Sequence, residues 1–508
     1  MKRTEKKEYF IAVLDIGKTN KKVMIYDHLL RKTDEHVQVI EEFRSTEYEP
    51  SGLMHDNIAE IKRFFFSSLK KISQKYHIKA VSVTTHGATY VCVNQKGEIT
   101  VPEISYTSEP GDDFHREFYR EFGKAQDLQQ TTATPDFMAL INIAKSLYYA
   151  KKKFPAAFAD TKYILNYPQY WGFLLTGKAG SESTYMGCHT YLWDFTKNSY
   201  SSVAEKLGIT GKLPPEMKKP WDILGTVTPG AAEETGLDQD TIVTYGIHDS
   251  NSSLLPYLIS MDDDFVLNST GTWCVLMHKK DRVSFKKDEL GKIVFFNLSA
   301  FGAPVKTSIF MGGLEFETYL KLLQKINNRT DHLQFNASLL EEIISKKNAF
   351  ILPSITKGTG QFPDSPPRIV EAGKVYPFAG AENGSGIPPF FMNYEKAYAV
   401  LVLSVAAQTK VALDRADMYD GIQVFTEGGF RKNTAYNRLL TALYPNSSFY
   451  LTSLDEATAF GAAILGKAAV EKIQPESMKN LFSITKKPVE PFYPEGMSAY
   501  LNSFLSQV

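Results

Sequence analysis

One pattern limits what this chain can fold into more than any other, because it occurs twice: an apolar strand enters a polar turn built on glycine, and a second apolar strand leaves it. Near the start, Phe10-Ile11-Ala12-Val13-Leu14 enters Asp15-Ile16-Gly17-Lys18-Thr19-Asn20, and Val23-Met24-Ile25-Tyr26 leaves it. Past the middle, Phe265-Val266-Leu267 enters Asn268-Ser269-Thr270-Gly271-Thr272-Trp273, and Cys274-Val275-Leu276-Met277 leaves it. Gly17 lets the backbone approach an anion with no Cβ in the way. Lys18, Thr19, Asn20 and the local N–H groups can then hold phosphate oxygens. Asp15, at the strand end, is placed to hold a metal ion through water. No G-x-x-x-x-G-K-[ST] string occurs, so these are hairpin turns rather than a strand-to-helix phosphate loop. Each turn alone also reads as an ordinary hairpin with a polar tip. Two of them suggest two related domains facing one nucleotide.

The chain has 508 residues, more than one hydrophobic core usually serves, so two large domains are expected. Lys+Arg and Asp+Glu both number 57, which argues against a nucleic-acid binder that relies on a general basic field. The three cysteines, Cys92, Cys188 and Cys274, are far apart and form no C-x-x-C pair. That fits a reducing compartment and supports neither a disulfide framework nor a zinc site. Met1 to Glu8 is charged and lacks the apolar core of a signal peptide, and no uninterrupted apolar stretch reaches the length of a membrane span. A cytoplasmic, soluble protein is the expectation.

Strands and helices alternate through the first half. Ala80–Thr85 is a β-branched run ending at His86-Gly87, Tyr90–Val93 is another strand, and helices are expected over 58–76, 138–153 and 168–176, the last stopped by Gly177. Ile242–Gly246 reads as a strand leading to His248-Asp249. In the second half, 394–418 reads as a long apolar helix and 421–426 as a strand running into Glu427-Gly428-Gly429-Phe430-Arg431-Lys432-Asn433. A helix of small residues follows over 455–466, a composition that permits close packing near an interdomain hinge, and the Gly- and Pro-rich stretch 352–367 reads as a loop. The mixture is α/β.

Four elements stand together: Asp15 to Asn20, Gly246 to Ser250, Ser269 to Trp273, and Glu427 to Asn433. In this order, from about residue 10 to about residue 470, they resemble the FGGY carbohydrate kinases of the actin-like ATPase superfamily. His248-Asp249-Ser250 followed by Ser269-Thr270-Gly271-Thr272-Trp273 is most similar to the rhamnulokinase and fuculokinase branch, and Thr176-Gly177 after an aromatic-rich helix also matches. The resemblance implies two ribonuclease-H-like α/β domains around a central cleft, here 1–246 and 247–508, with sugar between them and ATP mainly on the second. It implies ATP and Mg²⁺ as the cofactors, a small-molecule sugar as the partner, no nucleic acid and no membrane, and it allows a homodimer.

The resemblance also implies roles. Asp249 corresponds to the base that takes the proton of the attacking sugar hydroxyl, worth about 10²–10⁴-fold for a positioned carboxylate. Asp15 would stand on the metal side. Gly17, Lys18, Thr19 and Asn20, with Gly271 and Thr272, would meet the phosphates, and Gly428, Gly429 and Asn433 would lie against the adenosine. His86, Gly87, His248 and Asp249 would contact the sugar. His86 and His248 each read equally as structural histidines, Trp273 as a packing residue, and Gln169 and Tyr170 lie where sugar contacts are often found. The chain departs from the rhamnulokinase pattern near His86, where a Trp is expected, and near Thr89, where an acidic residue is expected. A ketose such as L-rhamnulose or L-fuculose is the expected acceptor. The alternatives are xylulose, ribulose or a polyol, and, in a different class, an actin-like switch ATPase or a sugar sensor.

Overall fold

The two strand–turn–strand hairpins each nucleate a seven-stranded sheet. A computed structural model describes residues 8–44, 53–331, 333–356, 358 and 360–508; most of the charged N-terminal run lies outside them. In the first domain, β1 (Phe10–Ile16) pairs antiparallel with β2 (Asn20–Asp27), which pairs with β3 (Lys32–Val39). Helix α1 (Ile58–Ser73) packs Phe64, Phe65 and Phe66 into the core and is capped by Asn57, whose Oδ1 accepts the Glu60 N–H at 3.1 Å. On the other side of β1 lies β4 (Ile78–Thr85), parallel to it. Helix α2 (Tyr167–Thr176) stops at Gly177, which takes φ 67° as a left-handed cap. Strands β5 (Ile223–Thr226) and β6 (Ile242–Thr244) complete the order β5-β6-β4-β1-β2-β3, and the short bridge Ile247–His248 also pairs with β4.

Helix α3 (Asp249–Ser260) then leads into the second sheet. There β7 (Phe265–Thr270) and β8 (Cys274–Lys279) form the second hairpin, and β9 (Val294–Leu298) and β10 (Pro304–Phe310) extend it. Helices α4 (Gly312–Asn327) and α5 (Tyr394–Arg415) cover this sheet. Strand β11 (Gln423–Gly428) lies parallel to β7, helix α6 (Thr434–Leu443) follows, and β12 (Ser448–Thr452) extends the parallel side. Helix α7 (Ala457–Glu471) closes the set. The same relation therefore holds in both sheets: a hairpin turn sits beside the C-terminal end of a parallel neighbour, Ile16 opposite Thr85 and Thr270 opposite Gly428. Carboxyl ends of parallel strands are where α/β sheets bind ligands.

Helix α5 is long and apolar enough to cross a bilayer by length and composition, although Glu395, Lys396, Lys410, Asp414 and Arg415 keep it from being an uninterrupted apolar stretch. Its apolar residues are instead buried in the core of the second domain. The expected helix over 138–153 begins at Ile143, because the wholly buried Asn142 holds the preceding residues as a loop: its Oδ1 accepts the Phe137 N–H and its Nδ2 donates to the Pro135 carbonyl, both at 3.2 Å. Residues 352–367 carry no helix or strand among those described.

Helix α7 belongs to the second half of the sequence but packs on the first sheet. A Cβ on Gly461 would lie 1.9 Å from the Ser252 carbonyl of α3, and one on Gly466 would lie 2.5 Å from Ile11 Cγ2 of β1. Small residues thus let α7 wedge between α3 and β1, and its alanines join Ile11, Val13, Leu255 and Ile259 in one buried cluster that ties the two halves together.

Candidate active site

Two cavities meet at the turn Thr270-Gly271-Thr272, which lines both. The first, of about 310 Å³, lies between the domains. His86, Tyr106, His189 and His248 face it from the first domain, with Asp249 from the start of α3, and Trp273, Phe295, Asn297 and Thr307 face it from the second. The second, of about 610 Å³, lies within the second domain between α4, α5 and the segment 429–434.

Asp249 opens α3, where the free N–H groups and helix dipole favour a carboxylate. Its Oδ1 accepts the Ser250 N–H at 2.6 Å and lies 3.2 Å from His248 Nε2. His248 is buried, and burial lowers its pKa below the usual imidazole value, with the Asp249 charge opposing that shift. Asn251 Nδ2 is 3.4 Å from His248 Nδ1. A neutral ring can accept the Asn251 amide at Nδ1 and carry its proton on Nε2, the nitrogen nearer Asp249. Gly87 packs against this ring: a Cβ there would stand 2.8 Å from His248 Nε2 and 2.9 Å from His189 Cε1. His86 is buried beside them, its Nε2 3.3 Å from Asp56 Oδ2 and its Nδ1 3.0 Å from the Gly87 carbonyl. Burial alone would raise Asp56; hydrogen bonding and charge from His86, then the charge of Lys18, hold it well below the usual carboxylate range instead.

Asp15 is buried at the end of β1, in register with Lys22 of β2. Burial raises its carboxyl to about 7; Lys22 opposes the shift, and Asp249 and Glu456 add to it. Asp15 and Asp249, from opposite ends of the first domain's sequence, therefore feel one another. Oxygen-only donors of this kind suit a hard cation such as Mg²⁺, which would relieve the charge that burial penalises. Lys22 Nζ pairs with Glu456 Oε2 at 2.5 Å, bridging the two domains at the same place.

The first turn itself lines neither cavity. The Gly17 N–H closes it onto the Asn20 carbonyl at 3.0 Å, and Thr19 and Asn20 are exposed. Lys18 departs from the expectation most clearly. Its ammonium pairs with Glu42, donates to Ser105 Oγ at 3.1 Å, approaches Asp56 Oδ1 at 3.4 Å and lies 4.5 Å from the centre of the Tyr106 ring. It is engaged with an acidic group behind the first cavity, which leaves its backbone N–H as its free donor toward an anion in the turn. Gln169 and Tyr170 are buried and line neither cavity.

Around the second turn the constraints come from backbone contact. A Cβ on Gly428, whose φ is 77°, would lie 1.9 Å from the Thr270 carbonyl, and one on Gly313 would lie 1.9 Å from the Gly271 carbonyl. Glycine at these positions lets β11 and the first turn of α4 close onto the loop. Thr270 Oγ1 donates to the Glu427 carbonyl and accepts the Phe430 N–H at 3.0 Å, which fixes Gly429 beside the turn. Asn433 caps α6, accepting the Tyr436 N–H at 3.0 Å, and lines the second cavity with Gly429. Gly271 is different: a Cβ there meets only the Trp273 carbonyl, at 3.8 Å, so its openness faces the cavities.

Sequence reasoning missed the segment 182–189, which builds the floor of the first cavity. Glu182, wholly buried, accepts N–H bonds from Thr184 at 2.6 Å and Tyr185 at 2.8 Å. Thr184 Oγ1 accepts the His248 N–H at 3.1 Å, and the Tyr185 hydroxyl donates to the Thr89 carbonyl at 2.7 Å. This segment therefore clamps both the 86–89 loop and His248, then delivers Cys188 and His189 to the cavity wall. Lys432, Phe316, Phe335 and Tyr398, which line the second cavity, were also missed. Nothing about a lone aromatic on an apolar helix separates such residues from core.

Residues 10–256 match the model of the FGGY family of carbohydrate kinases, N-terminal domain, and residues 262–475 match that of carbohydrate kinase FGGY, C-terminal domain. A rhamnulokinase of Enterococcus faecalis is 26% identical over 278 residues, 54% of this chain and 54% of the relative. A probable L-xylulose kinase of Pasteurella multocida is 26% identical over 285 residues, 53% and 55%. The chain thus spans about half the length of the curated relatives it matches. Over nearly the whole chain the fold is that of a carbohydrate kinase from Novosphingobium aromaticivorans (TM-score 0.76, 23% identity, 98% of each chain) and of a Plasmodium falciparum glycerol kinase solved with ADP (TM-score 0.75, 16% identity, 98% and 97%).

Proposed function

Because this chain belongs to the FGGY family of carbohydrate kinases, we propose that it transfers the γ-phosphoryl group of ATP to a hydroxyl of a ketose, with Asp249 as the base. The observation that carries this reading is the shared turn. A sugar in the first cavity and a nucleotide in the second would meet at Thr270-Gly271-Thr272, where Asp249 already faces the first. The N-terminal end of α4, which packs against that turn, is suited to phosphate oxygens, while the Gly271 N–H is given to the Trp273 carbonyl at 2.9 Å and shapes the turn. The aromatic and apolar side chains of the second cavity are suited to the adenine.

Asp249 would accept the hydroxyl proton as the oxygen attacks phosphorus, and His248 would hold the carboxylate in orientation through Nε2. Positioning and charge stabilisation would do most of the remaining work, as is general for phosphoryl transfer. Mg²⁺, with Asp15 on its protein side, would neutralise charge on the phosphates. Closure of the cleft would keep water from replacing the sugar as acceptor.

A ketose of the 6-deoxy type, L-rhamnulose or L-fuculose, fits the cavity best. Its lining combines polar groups, His86, His189, His248 and Asn297, with an apolar cluster of Ala88, Phe137, Ile141 and Phe295 that would accept a methyl group. Xylulose, ribulose or a polyol is the second reading, favoured by the L-xylulose kinase relative. A switch ATPase would have no use for a monosaccharide-sized cavity with a carboxylate in it. The three cysteines are free and buried, in keeping with a reducing, cytoplasmic setting. The test is ADP release with Mg-ATP against a panel of ketoses, aldoses and polyols. Turnover on one ketose alone supports the reading, whereas ADP release independent of every sugar overturns it.

A further inference from the structure

We propose that Cys188, His189 and His248 form a site for a borderline-soft divalent cation, with Zn²⁺ the best match to the donor set, inside the first cavity, and that its occupation shuts out the acceptor. The inhibitory part of this inference rests on the kinase reading; the binding part does not.

The three side chains offer one sulfur and two ring nitrogens that all lie within 4.8 Å of one another, and all three line the cavity. Zn–S and Zn–N bonds of about 2.3 and 2.0 Å at tetrahedral angles put neighbouring donors roughly 3.3–3.6 Å apart. The groups therefore need to close by at most about 1.2–1.5 Å, within reach of side-chain rotation. Asp249 lies outside this trio, but its Oδ1 stands 3.2 Å from His248 Nε2, so an ion held by His248 would lie beside that carboxylate.

The surroundings favour a bound ion over a protonated histidine pair. Burial, followed by the His248 charge, drives His189 down to about 3, and burial also lowers His248, so both rings keep lone pairs at neutral pH. His189 Nδ1 is buried with no hydrogen-bond partner, and the ring is enclosed by Phe137 at 5.8 Å, Phe295 at 5.9 Å and His248 at 6.0 Å between centroids. Its backbone takes φ 42°, an uncommon conformation for a non-glycine residue. Sulfur and imidazole donors suit Zn²⁺, not Mg²⁺, so the site is chemically distinct from the oxygen ligands around Asp15. Burial holds the Cys188 thiol well above its usual pKa, so binding must expel its proton to solvent, along with the Nε2 proton if His248 ligates through that atom. The ion would also take the Asp249 carboxylate that the reaction needs.

The test uses the full chain and Co²⁺ as a spectroscopic probe. The expected result is one equivalent of Co²⁺ bound with a thiolate-to-metal charge-transfer band and the strong visible bands of tetrahedral cobalt, both removed by Zn²⁺. Cys188→Ser and Cys188→Ala, checked for folding by thermal melting, should lose the charge-transfer band. Each should weaken Zn²⁺ by more than the roughly 10–100-fold that loss of an outer-shell partner costs. Zn²⁺ should then inhibit ADP release competitively with the ketose that turns over, and Cys188→Ala should relieve that inhibition. Absence of the charge-transfer band in the unsubstituted chain overturns the proposal. So does equal Zn²⁺ affinity in the Cys188 variants, or inhibition that excess Mg-ATP reverses, which would place the ion at Asp15. The cobalt measurement needs no turnover, so a failed kinase assay and a failed metal site remain distinguishable.

Discussion

His248 Nε2 stands 3.2 Å from Asp249 Oδ1, the same oxygen that takes the Ser250 N–H at 2.6 Å. The Ser250 N–H and hydroxyl both donate to Oδ1, with His248 Nε2 close by, so Oδ2 is the oxygen available to a substrate proton. Asp249→Asn keeps the shape and the helix-end position but removes the basic oxygen. It should lower kcat by about 10²–10⁴-fold while nucleotide affinity stays near that of the unsubstituted protein. Steady-state ADP release together with calorimetric ATP binding checks this. A near-normal kcat would remove Asp249 from the chemistry.

Asp15 gives a pH signature. Its carboxyl is raised from 3.8 to about 7, first by burial, so in the free protein it takes up a proton as pH falls below neutrality. A cation bound there must displace that proton. The apparent affinity for Mg-ATP should therefore weaken as pH drops through about 7, with proton release on binding measurable in buffers of different ionisation enthalpy. The stability consequence has the opposite sense. A raised folded-state pKa stabilises fully below 3.8, and that contribution is lost as pH rises through about 7, a swing of roughly 4 kcal/mol. Asp15→Asn should flatten this slope, melting above the unsubstituted protein at alkaline pH without ligand while losing Mg-ATP binding.

The glycines around the second turn separate into two kinds. Gly271 has open space where a Cβ would go, whereas Gly313 and Gly428 would each place a Cβ 1.9 Å from a backbone carbonyl. Gly271→Val should leave the melting temperature almost unchanged and weaken ATP binding, because its side chain enters the space between the cavities. Gly313→Ala and Gly428→Ala should destabilise the second domain by about 1–3 kcal/mol or more, as overpacking does. Thermal melting with and without ATP distinguishes the two patterns.

Much of the fold was legible because periodicity and punctuation agree locally. The two hairpins, the Gly177 stop and the α7 run of small residues carry their own signals. Where the sequence concentrates chemistry it pointed to residues that line the cavities, Asp249 beside His248 and Gly429, whereas Gly428 packs on the Thr270 backbone and lines neither. For Lys18 the sequence shows a lysine in a turn but not Glu42 and Asp56, which engage its ammonium. The 182–189 clamp was invisible because its work is done by a buried glutamate and by hydroxyls whose partners lie up to 99 residues away, as Tyr185 does with His86. Long-range hydrogen bonding leaves no periodic trace.

Asp56 is the residue where that blindness has the largest functional consequence. It is buried, it keeps its charge through His86 and Lys18, and its own N–H donates to Glu103 Oε2 at 2.6 Å. Its carboxylate therefore fixes the ring that faces the first cavity while standing behind it. Removing that charge should disturb the acceptor side alone. Asp56→Asn keeps the volume and part of the hydrogen bonding, so it should raise the sugar KM by about tenfold, equivalent to about 1.4 kcal/mol, with the ATP KM unchanged and kcat only modestly affected. Steady-state kinetics with sugar and ATP varied separately read that split, and an unchanged sugar KM would reduce Asp56 to a packing role.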